Sequence, residues 1–424
     1  MRRLIRVRNT LLVLLSITIS APAQDSSGVK IVGRFRLEHG TFRGIAVVGS
    51  HLYVTDYWEG LYVLDISDLS HPTQIGYLGN LGNPNDIVVI GQVAFISNSY
   101  GIAAIEISEP ANPTLIGSCG IQGVASEIDV NGNTVFVAAR QGGVHIVDVQ
   151  TPSQPVDIGQ NNAADFMDNI TVAGNYAYIA ARRDGLVILD VSSLTMPREI
   201  GRCSIAGESY GVAVTGNYAY VTAQDSGLRI IDISNIETPH EVATYQTGYA
   251  AWDIKIVGDY AFIANGGSGL RVLNVSDPAH PREIGFYRTS SLAWFVSYGS
   301  NGLVFVCESL DLNTSLAIYD CSEALGVSST SPFTPCSFTL SPPFPNPFNS
   351  RTTVNYTLSR AGVVKLGVYD PAGRLVANIP TPGWVEAGAH HFSWDAAGVP
   401  AGEYFFKLDA GGMTGVQKSA LVRW

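Results

Sequence analysis

The stretch "GLRIIDISNIETP" occupies residues 227–239. It reads as one apolar strand, then an acidic residue, then a turn closed by proline. The phrase recurs as "GLYVLDISDLSHP" at 60–72, "GIAAIEISEPANP" at 101–113, "GLVILDVSSLTMP" at 185–197 and "GLRVLNVSDPAHP" at 269–281. With the acidic position as a ruler, the copies fall at Asp65, Glu106, Asp148, Asp190, Asp232 and Asn274, in steps of 41, 42, 42, 42 and 42 residues. A weaker copy, "SLAIYDC", puts Asp320 another 46 residues on. A strand-rich period of about 40–45 residues is the signature of a β-propeller.

Each repeat divides into four strands. In the fifth they are "GVAVTG", "YAYVTA", "GLRIIDIS" and "HEVATYQ". The first two are joined by Gly132-Asn133, Gly174-Asn175, Gly216-Asn217 or Gly258-Asp259, which supply the positive φ of tight hairpins. The second strand always carries an aromatic: Tyr53, Phe95, Phe136, Tyr178, Tyr220, Phe262 or Phe305. The third strand, such as Leu186-Val187-Ile188-Leu189, is apolar on both faces, as a sheet packed between two others requires.

Fourth strands follow repeats one to six, but the seventh runs straight into "SEALGVSSTSP". An orphan with the fourth-strand pattern, "VKIVGRFRL", sits at 29–37, ahead of the first repeat. It is expected to complete the last sheet and so remove the free edges of an open array. The expected fold class is therefore all-β, a seven-bladed β-propeller over 24–323 closed by an N-terminal strand. "GLVILDVSS", "GVHIVDVQ" and "GLRIIDISN" resemble the LVIVD-repeat proteins, a group of extracellular bacterial and archaeal propellers. That resemblance implies the fold and no catalytic signature.

The two ends read differently. Arg2, Arg3, Arg6 and Arg8 precede a short apolar run at 11–19 and the small residues Ala21-Pro22-Ala23, the pattern of a secretory signal peptide over 1–23. No other apolar run approaches spanning length, so the mature chain is expected to hold no transmembrane helix. Without those four Arg the chain has 21 basic and 36 acidic residues, a net charge of −15. Such acidity disfavours nucleic acid as a partner. Residues 324–336, "ALGVSSTSPFTPC", have a linker composition. Beyond them, strands alternate with Gly/Pro turns over 337–424, which predicts a small antiparallel sandwich.

That module also carries Pro345-Asn346-Pro347-Phe348, Tyr369-Asp370 with Gly373-Arg374, and Gly402-Glu403-Tyr404 in order. These motifs resemble a type A C-terminal sorting domain of the type IX secretion system, and the Ig-like domain of flagellar hook-capping proteins. The resemblance implies an Ig-like fold, the type IX machinery as a partner, and a secreted or bacterial cell-surface location. The ending "QKSALVRW" departs from the Lys-terminated tail common in such domains.

Little in the chain points to chemistry, and no catalytic residue or cofactor is expected. Asp65 and its equivalents recur in every repeat, so each is expected to serve its own turn. "GESYG" at 207–211 has the spacing of a nucleophile elbow around Ser209, but no strand-to-helix turn follows. His71, His240 and His280 stand beside proline in equivalent turns. Cys119 and Cys203 share a repeat offset, while Cys321 and Cys336 flank the linker and are candidates for a disulfide. "DLNTS" at 311–315 is an incomplete calcium-loop pattern, and calcium is the one ion to consider. Asp86, Glu127, Asp168 and Asp253 begin first strands near the channel rim, where they are expected to converge as a weak cation site.

Binding has clearer support. Strand direction alternates, so the loops before first strands share a face with those between second and third strands. Only that face varies between repeats. It carries Phe42, Arg43, Tyr57, Trp58, Tyr100, Phe166, Arg182, Arg183, Tyr210, Tyr249, Trp252, Trp294 and Phe295. Loop aromatics on a rigid scaffold suit recognition, here of an extracellular protein or glycan. Two other functions remain open: a polysaccharide lyase or hydrolase using Arg182, Arg183, Asp165 and His39, and a structural adhesin or surface-layer component.

Overall fold

The computed structural model of the protein describes residues 26–38, 40–310, 313–326, 338–358, 362–371, 374–379, 384–385, 388–410 and 413–422. The signal segment, His39, Asp311, Cys336 and Gly373 lie outside these residues. The fold is all-β, with one short helix, Ser322–Leu325, among the described residues. That helix stands where the linker was expected to begin, and it ends on Gly326 in the left-handed conformation.

Over the repeats, the described residues form seven antiparallel sheets, six of four strands and one of five. The first sheet is Phe42–Val48, His51–Asp56, Gly60–Asp65 and Thr73–Gly79. The fourth is Asn169–Ala173, Tyr176–Ala180, Leu186–Asp190 and Arg198–Cys203. First strands touch their neighbours' first strands in turn, and the last, Leu292–Tyr298, touches Phe42–Val48 again. Repeated four-stranded sheets in such a closed circuit fit a propeller.

Burial follows the expected pattern. The second-strand aromatics from Tyr53 to Phe305 are buried, as are Leu186, Val187, Ile188 and Leu189 on both faces of their strand. Each ruler acid caps its own turn: Asp65 accepts from the Ser67 N–H, Asp190 from Ser192, Asp232 from Ser234 and Asp320 from Ser322. These bonds hold Asp190 down at about 2, with Ser192 the main cause. Fourth strands bulge beside a glycine that admits the next repeat's turn. A Cβ on Gly201 would stand 1.9 Å from the Ile236 carbonyl oxygen, and one on Gly33 would stand 1.7 Å from that of Leu69.

The last sheet takes its fourth strand from the start of the chain. Lys30–Glu38 pairs antiparallel with Asn313–Asp320 from end to end. At its centre Arg34 donates to the buried carboxylate of Glu308 at 2.6 Å and to Ser315 at 2.9 Å. Tyr319 and Ser291 also donate to Glu308. The short strand Ser26–Ser27, unforeseen in the sequence, pairs with Phe286 and Tyr287 of the sixth sheet.

The C-terminal module has two sheets around one core. Phe338–Leu340, Arg351–Leu358 and Gly388–Asp395 form one, and Leu375–Ile379, Gly362–Tyr369, Gly402–Ala410 and Met413–Leu421 the other. Val354, Trp394, Phe406 and Leu408 meet between them. Several of the expected motif residues make hydrogen bonds within this module. Phe348 is buried and bonds the last strand through Ala420 and Val422, while Asn346 bonds Lys418 and Ala420. Asp370 accepts from both the backbone and the guanidinium of Arg374.

Arg34→Met should destabilise the protein by about 3–5 kcal/mol, because it strands Glu308 as an unpaired buried charge. Adding Glu308→Gln should recover part of that loss. Urea melting of the two variants is the check; a single variant as stable as the parent would contradict the buried pair.

Candidate functional site

Matching the repeats strand by strand separates three columns at the start of each first strand. Phe42, Pro84, Ala125, Met167, Ser209, Ala251 and Ala293 occupy the first, and all are buried. Arg43, Asn85, Ser126, Asp168, Tyr210, Trp252 and Trp294 occupy the second, at the mouth of the channel enclosed by the first strands. Gly44, Asp86, Glu127, Asn169, Gly211, Asp253 and Phe295 occupy the third, and most of these line the channel wall. A strand alternates its faces, so one step along it separates core from channel.

These columns correct two expectations. Phe42, expected on the binding face, is 2% exposed and packs against Phe35 and Tyr62. Asp168 does not join Asp86, Glu127 and Asp253; it stands one residue earlier, and Asn169 holds their place in its repeat. Asp168 instead binds the Arg182 guanidinium, with Arg140 at 4.0 Å. Burial pushes its carboxyl up, and the two arginines offset that only in part.

The channel acids are largely occupied by backbone. Asp86 accepts from the Ile128 N–H at 3.0 Å, Asn169 from Val212 at 3.2 Å and Asp253 from Val296 at 2.9 Å, each in the next repeat. They stitch one innermost strand to the next where no ladder partner exists. Lys255 is the cation among them. It is solvent-accessible inside the channel, where crowding by the wall pulls its ammonium down, but Asp253, Glu127, Asp86 and Asp129 together outweigh that and hold it above its ordinary value. Burial, then Asp86 and Asp253, push Glu127 well up. No group of three ligating side chains placed to hold a metal ion occurs among the described residues.

At the mouth is a cavity of about 330 Å³. Tyr210, Trp252 and Trp294 form a continuous wall, with centroid spacings of 4.8 and 4.7 Å. Arg182 lies 4.4 Å from the Phe166 ring and 4.5 Å from the Tyr210 ring, and donates to the Tyr210 hydroxyl at 2.9 Å. Arg43 lies over Tyr57 at 4.8 Å and near Phe295 at 5.8 Å. Arg140, absent from the expected set, lines the same cavity. Its signal was the alignment of "ARQGG" at 139–143 with "ARRDG" at 181–185. Both Arg140 and Arg182 take positive φ, 46° and 48°, where the sixth repeat has Gly266. Paired backbone bonds to Met167 and a bond from Ser209 hold those two positions.

Other expected residues lie away from this cavity. Trp58 is 65% exposed and lines a separate groove with Tyr77, Asn80 and Pro84. Tyr100 and Tyr249 are 73% and 59% exposed. Arg183 pairs with Glu208 at 2.9 Å. Asp165 is exposed, and Ser209 is buried, donating to the carbonyls of Arg182 and Gly185. Cys119, Cys203, Cys307 and Cys321 are free thiols.

The LVIVD repeat model matches residues 39–78, 81–120, 122–162, 167–205, 206–247 and 248–289, which is more than half of the chain. The chain belongs to the LVIVD-repeat family. Those six matches coincide with the first six sheets; the seventh, shared between the two ends of the repeat region, has diverged. A second model, the secretion system C-terminal sorting domain, matches residues 343–422. This LVIVD-repeat protein is thus addressed by type IX secretion to the cell surface or beyond. No described helix is long and apolar enough to cross a membrane. No curated protein matches the chain. Among solved structures, the computationally designed Ika8 protein is similar in fold, with a TM-score of 0.51 at 11% identity over 92% of this chain and 99% of that one.

Glu127→Gln should raise the melting temperature at about pH 8. A carboxyl raised in the fold costs stability above its unfolded value, and the cost fades as pH falls and both states take the proton. The gain should therefore shrink towards about pH 4. Thermal melts across that range check it; a gain that grows on acidification would contradict the raised Glu127 carboxyl.

Proposed function

We propose that the seven sheets are the blades of one seven-bladed β-propeller and that the C-terminal module is an Ig-like sandwich. On this reading, the exported chain is a non-enzymatic binding protein that holds an extracellular protein or glycan at the channel mouth. One observation carries it: Tyr210, Trp252 and Trp294 line an open cavity as a continuous wall beside three arginines. Aromatic and Arg anchors in a preformed hollow are what binding hot spots are made of. Arg182 and Asp168, two of the charged groups there, are committed to each other.

Trp252→Ala with Trp294→Ala should weaken capture by tenfold or more, about 2 kcal/mol or above for a hot-spot pair. Trp58→Ala should leave it nearly unchanged. The full chain is to be screened on glycan and protein arrays, with melting curves to verify folding. Capture that survives loss of both tryptophans, or turnover of an arrayed polysaccharide, would contradict this function.

A further inference from the structure

The mouth holds two cations without hydrogen-bonded counter-charges. The Nε atoms of Arg43 and Arg140 are buried, and neither has a hydrogen-bond partner among the described residues. Arg182 differs, since Asp168 and Tyr210 satisfy it. Burial, then the like charge of Arg140, pull the Arg43 guanidinium below its ordinary value. An arginine stays charged under such a pull, which Tyr57 and Glu127 offset only in part. Both guanidinium groups line the open cavity, where a carboxylate would offer them two parallel acceptors.

The rest of the cavity fixes the class of anion. Trp252 and Trp294 pack on each other at 38°, with ring centroids 4.7 Å apart, and present an apolar indole surface to the cavity. That surface matches the C–H face of a pyranose. Asp168 and Ser126 line the same hollow and offer acceptors to ring hydroxyls. At about 330 Å³ the cavity is at the small end of ligand pockets, so it holds one ring rather than a run of chain.

We propose that the mouth takes a carboxylated sugar ring, a hexuronate unit of an acidic glycan. The carboxylate lies between Arg43 and Arg140, and the ring lies on Trp252 and Trp294. This rests on the binding function proposed above and narrows its ligand.

The test uses the full chain, with tryptophan fluorescence and calorimetry against D-glucuronate, D-glucose and phenylacetate. Glucuronate should bind about tenfold or more tighter than glucose, and more weakly as salt is raised. In Arg43→Gln/Arg140→Gln the advantage should vanish, so that the two sugars bind alike. If that variant fails to fold, Arg43→Lys/Arg140→Lys keeps both charges and should lose only part of the preference; the salt series on the parent needs no variant. Equal affinity for the two sugars, or salt-independent glucuronate binding, would overturn the proposal. Tighter binding of phenylacetate than of glucuronate would also overturn it, in favour of a peptide end. Should neither sugar bind while array capture still needs Trp252 and Trp294, the hexuronate inference fails and the binding function stands.

Discussion

Everything in the repeat region depends on one pairing between distant parts of the chain. Lys30–Glu38 must find Asn313–Asp320 before the last sheet has its fourth strand. The cost is a long loop closure, which grows only slowly with length. The return is the removal of two exposed sheet edges. The join is also chemically specific. Glu308 is buried and gathers Arg34, Ser315, Tyr319 and Ser291, so the strand is latched by charge as well as by its ladder. Gly33 adds shape, since only a residue without Cβ admits the Leu69 carbonyl there.

Closing the circuit places seven equivalent positions around one mouth, and those positions have diverged. The scaffold repeats what it needs in every sheet: buried aromatics, capped turns and glycines at bulges. The mouth column varies, running from Arg43 through Ser126 and Asp168 to Tyr210 and two tryptophans, Trp252 and Trp294. Below it, the channel acids are used to bind the next repeat's backbone and Lys255. Sites that differ on a frame that does not are where specificity resides. The strained backbone at Arg140 and Arg182 fits the same division, because it aims long cations at the cavity from positions better suited to glycine.

The period made most of the fold legible. It set the number of strands per sheet, the closing role of the orphan segment and the turn-capping role of Asp65 and its equivalents. The site was less legible, because its members are separated by single steps along a strand. Asp168 looked like a channel acid until its column placed it one residue early. Phe42 looked like a loop aromatic, although its equivalents, Ala125 and Ala251 among them, mark a buried position. Arg140 and Lys255 carried signals only in alignment: one matches Arg182, and the other occupies a slot filled by Asp129 and Thr171 in other repeats. Which charges pair, and which stay unpaired, depends on distances between repeats that no period encodes.

Native-state hydrogen exchange over residues 30–38 tests the closed circuit most directly. Amides of Lys30–Glu38 that donate to Asn313–Asp320 should exchange as slowly as those of the buried strand Leu186–Asp190, through the same cooperative opening. Fast exchange there, like that of a frayed terminus, alongside protection elsewhere, would contradict the closure and the shared mouth built on it.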